Sequence, residues 1–347
     1  MINIKGVGEF FSLDIGANAI RAVQLSKTGE NSWNLTGLGY VSVDPQLVLS
    51  ESEESRRKLG EVITTMIGQS DIKAKNVAIS LSSQKTYTTV IDVAARDEKE
   101  LKQTMEYQLD QYIPMAIDDA KVDWVMIGPS ADKPETQEVL VASTSKAYSE
   151  DRLEFIENLG FNVVAAEPDS ISMARSLAID STAAQLIVDF GENSTDIALY
   201  YGNAPRLVRS IPIGIGTLVK SAVQNLNIKE DQARQFILKF GLAQDKLDAQ
   251  VFRAIEANLE NFAQELIKSI KFFSTKYPQV PVGTITLSGY AGIIPQLSEY
   301  VSSKTGIQAG PVNPFQRVNV PNKYQQTIAN IGNEFAVAVG LAERIEK

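Results

Sequence analysis

Neither cysteine nor histidine occurs among the 347 residues of this chain, and the two absences remove much of enzyme chemistry at once. Without cysteine there are no disulfides, no thiolate zinc sites and no thiol nucleophile. Without histidine there is no Ser-His-Asp triad and no imidazole metal ligand. The ionic chemistry left is that of carboxylates, lysine, arginine and a hard cation such as Mg²⁺. An excess of positive charge is missing too. Lys and Arg number 33 against 42 Asp and Glu, for a net charge of −9 and a pI of about 4.9. That balance argues against a nucleic-acid binder working by phosphate neutralisation. No apolar run approaches the roughly 18 residues a membrane span requires. The opening MINIKGVGEFF lacks the layout of a signal peptide. The expectation is a cytosolic protein that meets a membrane only through a partner. What remains is ordinary for a globular chain, 44% hydrophobic and 22% charged, and is long enough for two domains or one two-lobed domain.

Two stretches share one design. In Glu9 to Leu25 an apolar run, Phe10 to Leu13, enters Asp14-Ile15-Gly16, and a second run, Ala19 to Leu25, follows. This reads as strand, tight turn, strand. Glycine lets the backbone approach a ligand closely, the N–H groups of the turn form an anion-sized concavity, and an aspartate at the strand end can hold a cation through water. Taken singly, the same residues describe an ordinary hairpin with an Asp turn. Ala184 to Tyr200 repeats the pattern: aligning Asp14 with Asp189 also aligns Gly16 with Gly191 and Asn18 with Asn193. The repetition suggests a duplicated unit, with two phosphate-gripping hairpins facing each other across a cleft and paired aspartates attracting Mg²⁺.

The rest of the chain reads as alternating strands and helices. Trp33 to Val43 is a third strand, Ser50 to Gln69 a helix and Asn76 to Leu81 a buried strand. From about Gln84 a β-α-β-β-α-β run begins. It comprises a strand alternating Tyr87, Thr89, Ile91 and Val93 on its half-buried face, then a helix with Asp97 and Glu100 as a capping box and Leu101, Met105, Leu109 and Tyr112 inward. Strands over 122–127 and 138–143, a helix over 147–159 and a strand over 162–166 complete it. This predicts a subdomain inserted into the first lobe. Glu167-Pro168-Asp169 leads into a small-residue helix at the lobe crossing. Ile211 to Gly216 is a glycine-punctuated turn into a helix near Thr217. Asp248 to Lys276 carries one apolar stripe from Val251 to Phe273, with Glu265 and Lys268 off it as an ion pair. Leu287-Ser288-Gly289-Tyr290-Ala291-Gly292 ends a strand and opens a helix at about Ile293. Residues 311–321 show no periodicity, and Gly332 to Ile345 is a helix lined with small residues.

With three glycine turns in this order, the chain resembles the actin, Hsp70 and sugar-kinase superfamily. Asp14 to Arg21 is similar to the first phosphate motif, Asp189 to Thr195 to the second and Leu287 to Gly292 to the adenosine motif. Glu167 to Arg175 and Phe335 to Ala342 resemble the two connecting helices. Arg21 stands where a phosphate-contacting lysine is usual, and Ala17 and Asn18 where serine is common. The resemblance implies an α/β, ribonuclease H-like, two-lobed fold. The first lobe would be 9–83 with 166–183, the insertion 84–165, the second lobe 184–215 with 284–347, and a helical subdomain 216–283. The insertion sits where the FtsA family carries its own. The chain length, Arg209 to Gly214 and Asn313-Pro314-Phe315 resemble the PilM family of type IV pilus assembly proteins. That resemblance implies a cytosolic protein, peripheral to the inner face of the cytoplasmic membrane, that binds ATP or ADP with Mg²⁺. It would dock the cytoplasmic N-terminal tail of PilN in a groove between the first lobe and its insertion and link the pilus platform to its motor proteins. Self-association stays open.

On this reading Gly16, Ala17, Asn18, Gly191, Asn193, Ser194 and Thr195 hold phosphates, Asp14 and Asp189 hold hydrated Mg²⁺, and Arg21 adds charge at the β- or γ-phosphate. Ser288, Gly289 and Tyr290 lie by the adenosine, with Glu265 and Lys268 near the ribose. Glu167 is the candidate for orienting an attacking water in at most a slow ATPase; its alternative is to cap the next helix. Three function classes follow: a nucleotide-binding scaffold, a small-metabolite kinase, for which no catalytic base stands out, and an FtsA-like filament former. Members of the FtsA family typically carry a terminal amphipathic helix, whereas this sequence stops at Lys347.

Overall fold

The computed structural model describes residues 8–95, 98–131, 133, 135–179 and 181–344. The chain divides into two compact units, Met1–Ser176 with Pro314–Lys347, and Leu177–Asn313. The first unit contains β1 (Phe10–Ile15), β2 (Ala19–Gly29), β3 (Ser32–Ser42), β4 (Asn76–Leu81), β5 (Thr86–Ala94), β6 (Ala120–Pro129), β7 (Thr136–Ser145) and β8 (Asn162–Pro168). Its main sheet runs β3-β2-β1-β4-β8. The first three strands form an antiparallel meander, and β4 and β8 add parallel to β1. β1 is covered on both faces, so Phe11 and Leu13 are wholly buried and its sequence is an apolar run rather than an alternation. On one face Leu59, Ile63, Met66 and Ile67 of the helix Glu53–Gly68 pack with Phe11, Leu13 and Ile79. Each such side chain contributes about 1.5–3 kcal/mol by leaving water.

The opposite face is closed by the C-terminal segment. Phe315, Val318, Tyr324, Phe335, Ala338 and Val339 pack against Val23, Trp33, Leu35 and Leu38, and Val318–Asn319 pairs with β3. Residues from Pro314 onward, expected to complete the second lobe, therefore belong to the first unit: their apolar face matches that of β2 and β3. A helix absent from the sequence reading, Asn322–Ile331, precedes a 3₁₀ turn, Gly332–Phe335, and the helix Ala336–Ala342. A Cβ at Gly340 would lie 1.8 Å from the Ser172 carbonyl, so glycine is what lets this helix touch the helix Asp169–Leu177. Ile345 lies outside the described residues, as does Asp97 of the expected capping box.

The order β-α-β-β-α-β holds from β5 to β8, but the elements divide between two sheets. β5-β7-β6 form a separate antiparallel sheet whose core, Val93, Leu101, Met105, Val139 and Val141, is covered by the helix Glu98–Gln108. The helix Lys146–Asn158 and β8 return to the main sheet, where Ile156 joins the core beside Ile63 and Ile79. The insertion is thus shorter than 84–165. Within it Tyr87 is exposed while Thr88 is buried.

The second unit repeats the plan. β9 (Ala184–Phe190), β10 (Thr195–Tyr201), β11 (Ala204–Ile211), β12 (Val282–Gly289) and β13 (Ala309–Pro311) run in the order β11-β10-β9-β12-β13. Again there is an antiparallel meander of three, then two parallel additions. The helix Gln250–Lys276 buries Val251, Ile255, Leu259, Phe262, Leu266 and Phe273 as its spacing predicts, with Phe262 edge-on to Phe190 at 5.1 Å. β12 does not open directly into an α-helix near Ile293. A 3₁₀ turn, Tyr290–Gly292, follows, and the next α-helix is Leu297–Thr305.

Candidate phosphate hairpins and their supports

The two hairpins are the same object. Asp14 is the penultimate residue of β1 and pairs across the turn with Arg21; Asp189 holds the same place in β9 and pairs with Asp196. Gly16 N–H donates to Ala19 O at 3.0 Å, and Gly191 N–H donates to Ser194 O at 2.9 Å. Those two glycine N–H groups therefore close their turns instead of facing a phosphate. Among the described residues, the N–H groups of Ala17, Asn193 and Ser194 make no intramolecular hydrogen bond. They are the donors such a concavity offers an anion.

In the first unit the hairpin is set by charges. Asp14 is buried; Ser80 Oγ donates to its Oδ1 at 2.8 Å, and Arg21 Nη1 lies 3.5 Å from its Oδ2. Arg21 Nη2 donates to Glu334 Oε2 at 2.5 Å, and its Nε has no partner. Burial would lower the guanidinium's pKa, but Asp14 and Glu334 outweigh it and raise it. The expected role of Arg21 as free charge for a phosphate is thus modified, because two carboxylates already neutralise it. Asp169, the first residue of the helix after β8, accepts from Ser83 Oγ and from Ser170 N–H. Burial first, and the Asp14 charge after it, push its carboxyl up to about 7.

Glu167 does not stand ready to orient a water. Its Oε1 accepts from Ser172 Oγ at 2.7 Å and Arg175 Nη1 at 2.6 Å, and its Oε2 from Arg175 Nη2 at 3.0 Å and Arg344 Nη1 at 2.8 Å. Burial works to raise its pKa, but Arg175 and Arg344 overcome that and hold it below the ordinary range. Four bonds fill the carboxylate, and the residue locks the two small-residue helices of the first unit together.

In the second unit the support is mostly backbone. Ile215 N–H donates to Gly191 O and Gly216 N–H to Glu192 O, both at 3.0 Å, so the start of the helix Ile215–Leu226 grips the loop's carbonyls. Gly289 has φ 60°, and a Cβ there would lie 2.6 Å from Phe190 O and 2.7 Å from Asp189 Oδ1; the turn is pressed against the strand end that carries the aspartate. Ser288 is the β12 partner of Asp189. Asp189, Gly191, Asn193, Ser194, Ser288, Gly289 and Tyr290 thus gather at one end of this sheet. Thr195 is turned away, wholly buried with its hydroxyl donating to Ile213 O at 2.6 Å. Glu265 pairs with Lys268 at 2.5 Å and with Arg209 at 3.0 Å; the Lys268 hydrogen bond is the main reason its pKa is lowered. The local ion pair is observed, with Arg209 as an added member.

Sequence reading missed Ser80, Asp169, Glu192, Arg234 and Glu334. Asp169 and Glu192 lie inside motifs that drew attention, whereas Arg234 and Glu334 carry no local signal.

Two sheets that share a five-strand order, each with an Asp-x-Gly hairpin at its first turn, define the actin-like ATPase fold. Within that class the chain belongs to the type IV pilus assembly protein PilM family, whose model matches residues 12–346. It is similar to a chain of a PilM-PilN type IV pilus biogenesis complex, with a TM-score of 0.81 and 24% identity over 96% of this chain and 97% of that one. It also resembles the ethanolamine utilization protein EutJ from Carboxydothermus hydrogenoformans, with a TM-score of 0.56 and 14% identity over 99% of this chain and 92% of that one. A third likeness is MreB5 of Spiroplasma citri bound to ADP, with a TM-score of 0.55 and 11% identity over 96% and 94% of the two chains. Among the described residues no helix is long and apolar enough to cross a membrane.

Proposed function

We propose that the chain is a nucleotide-responsive scaffold of type IV pilus assembly, which binds ATP or ADP with Mg²⁺ and docks the cytoplasmic N-terminal tail of PilN. The observation that carries the nucleotide reading is the duplicated hairpin, with its aspartate at the strand end and its unbonded N–H groups at the tip. Ala17, Asn18, Asn193 and Ser194 would hold phosphate oxygens, and Ser288, Gly289 and Tyr290 the nucleoside. Asp14 and Asp189 would accept from waters of the Mg²⁺, which when bound neutralises phosphate charge. The MreB5 structure with ADP supports a nucleotide on this fold. With Glu167 fully engaged, we assign at most slow hydrolysis. The PilM-PilN complex supports the partner. The exposed apolar side chains Tyr87, Ile117 and Met126 of the insertion offer it surface. Through that tail the protein would work at the inner face of the cytoplasmic membrane.

Isothermal titration tests the nucleotide reading. Mg-ATP or Mg-ADP should bind at micromolar Kd or tighter, and Asp189→Ala should weaken binding on the order of tenfold or more. No heat with either nucleotide would remove it. A synthetic peptide of the PilN tail should bind in the same instrument, and its failure to do so would remove the partner reading.

A further inference from the structure

We infer that Arg234 is a positioning residue for the 191–194 loop, acting through Glu192; the inference rests on the nucleotide reading above. Glu192 is the loop's second residue, directly before the unbonded N–H groups of Asn193 and Ser194. Its side chain is 8% exposed. Arg234 grips it with both arms, Nη2 to Oε1 at 2.6 Å and Nη1 to Oε2 at 2.9 Å, and Tyr290 OH donates to Oε2 at 3.2 Å. Its carbonyl accepts from Gly216 N–H. One residue therefore ties the hairpin to the helix Ile215–Leu226, to the helix Glu230–Phe240 and to the turn after Gly289.

The chemistry explains why such a tie is required. A loop that offers its N–H groups to an anion is ill-served by a carboxylate on its own tip, because a bare Glu192 would repel a polyphosphate held one residue away. A bidentate guanidinium cancels that charge and at the same time fixes the loop in one geometry. The first unit supplies the control. At the place of Glu192 its hairpin carries Ala17, which has no charge to cancel. Arg234 thus serves the loop.

Titration of ADP and of adenosine into wild type, Arg234→Met, Glu192→Gln and the double variant, each checked for folding by circular dichroism, separates the cases. Arg234→Met should lose on the order of tenfold or more in ADP affinity, because it takes the guanidinium away from the glutamate. Its adenosine affinity should be unchanged. Adding Glu192→Gln should restore ADP affinity to within about threefold of wild type, since the charge that needed cancelling is gone. A double variant as weak as Arg234→Met would place Arg234 directly on the ligand and overturn the inference, as would an Arg234→Met protein that binds ADP normally. If Arg234→Met does not fold, Arg234→Gln, which also removes the positive charge, and its combination with Glu192→Gln carry the same comparison. Wild type that takes up no ADP at all overturns the nucleotide reading instead.

Discussion

Two hairpins of one length, closed by the same glycine-to-carbonyl bond, are held by opposite means. The β1–β2 hairpin is braced by side-chain charges, with Asp14, Arg21 and Glu334 in line and Ser80 beneath. The β9–β10 hairpin is braced by backbone, its carbonyls gripped by Ile215 and Gly216 N–H groups and the Glu192 charge at its tip cancelled by Arg234. The residue opposite the aspartate marks the divergence: Arg21 in one, Asp196 in the other. A repeated backbone thus does not imply a repeated support, since any bonding that fixes the strand ends will serve.

The sharpest way to break the comparison is to remove the charge that only the first hairpin uses. Arg21→Met leaves two carboxylates around an empty place and should cost about 3–4 kcal/mol, the usual penalty for orphaning a buried ion, read by urea denaturation at neutral pH. A loss below about 1 kcal/mol would show that the charge line is dispensable. Next comes the clamp of the second hairpin. A Cβ at Gly214 would stand 2.4 Å from Glu192 O and 2.8 Å from Gly191 O, backbone atoms that must shift. Gly214→Ala should cost about 2 kcal/mol. Gly16→Ala should cost about 1 kcal/mol, because its Cβ would meet Arg21 Nη1 at 2.9 Å and Ala19 O at 3.1 Å, contacts that need to give by less than those at Gly214. Equal losses in thermal melts would erase the distinction.

The smallest effect concerns pH. The two carboxyls pushed up to about 7, Asp169 and Glu343, both lie in the first unit. Burial raises Glu343, while Arg317, bonded to its Oε2 at 2.7 Å, and Arg175 pull it down. The folded protein therefore holds a proton that the unfolded chain has released between its ordinary carboxyl pKa and about 7. Stability from this group is present at low pH and falls as pH rises through that window. Glu343→Gln lacks the trend, so the melting temperature of wild type should drop relative to the variant by a few degrees between pH 5 and pH 8. Parallel curves would remove Glu343 as the source.

Both hairpins, the stripe on the helix Gln250–Lys276 and the β-α-β-β-α-β order were legible in the residues themselves. Each is a local pattern, a period of apolar side chains or a glycine at a tight turn, and local patterns survive in one dimension. The bonding of the candidate site was not. Glu334 lies 313 residues from the arginine it holds, and Arg234 lies 42 from Glu192. Nothing near either one marks a partner.

By itself, then, the sequence determined the two matching turns, the alternation of strand and helix and the kinds of chemistry available without thiol or imidazole. Tertiary structure alone decided which acids are free, which are already neutralised and to which unit the C-terminal segment belongs. An ion pair or a buried face is a relation between distant residues, and only folding sets its distance, on which Coulomb energy and desolvation both depend.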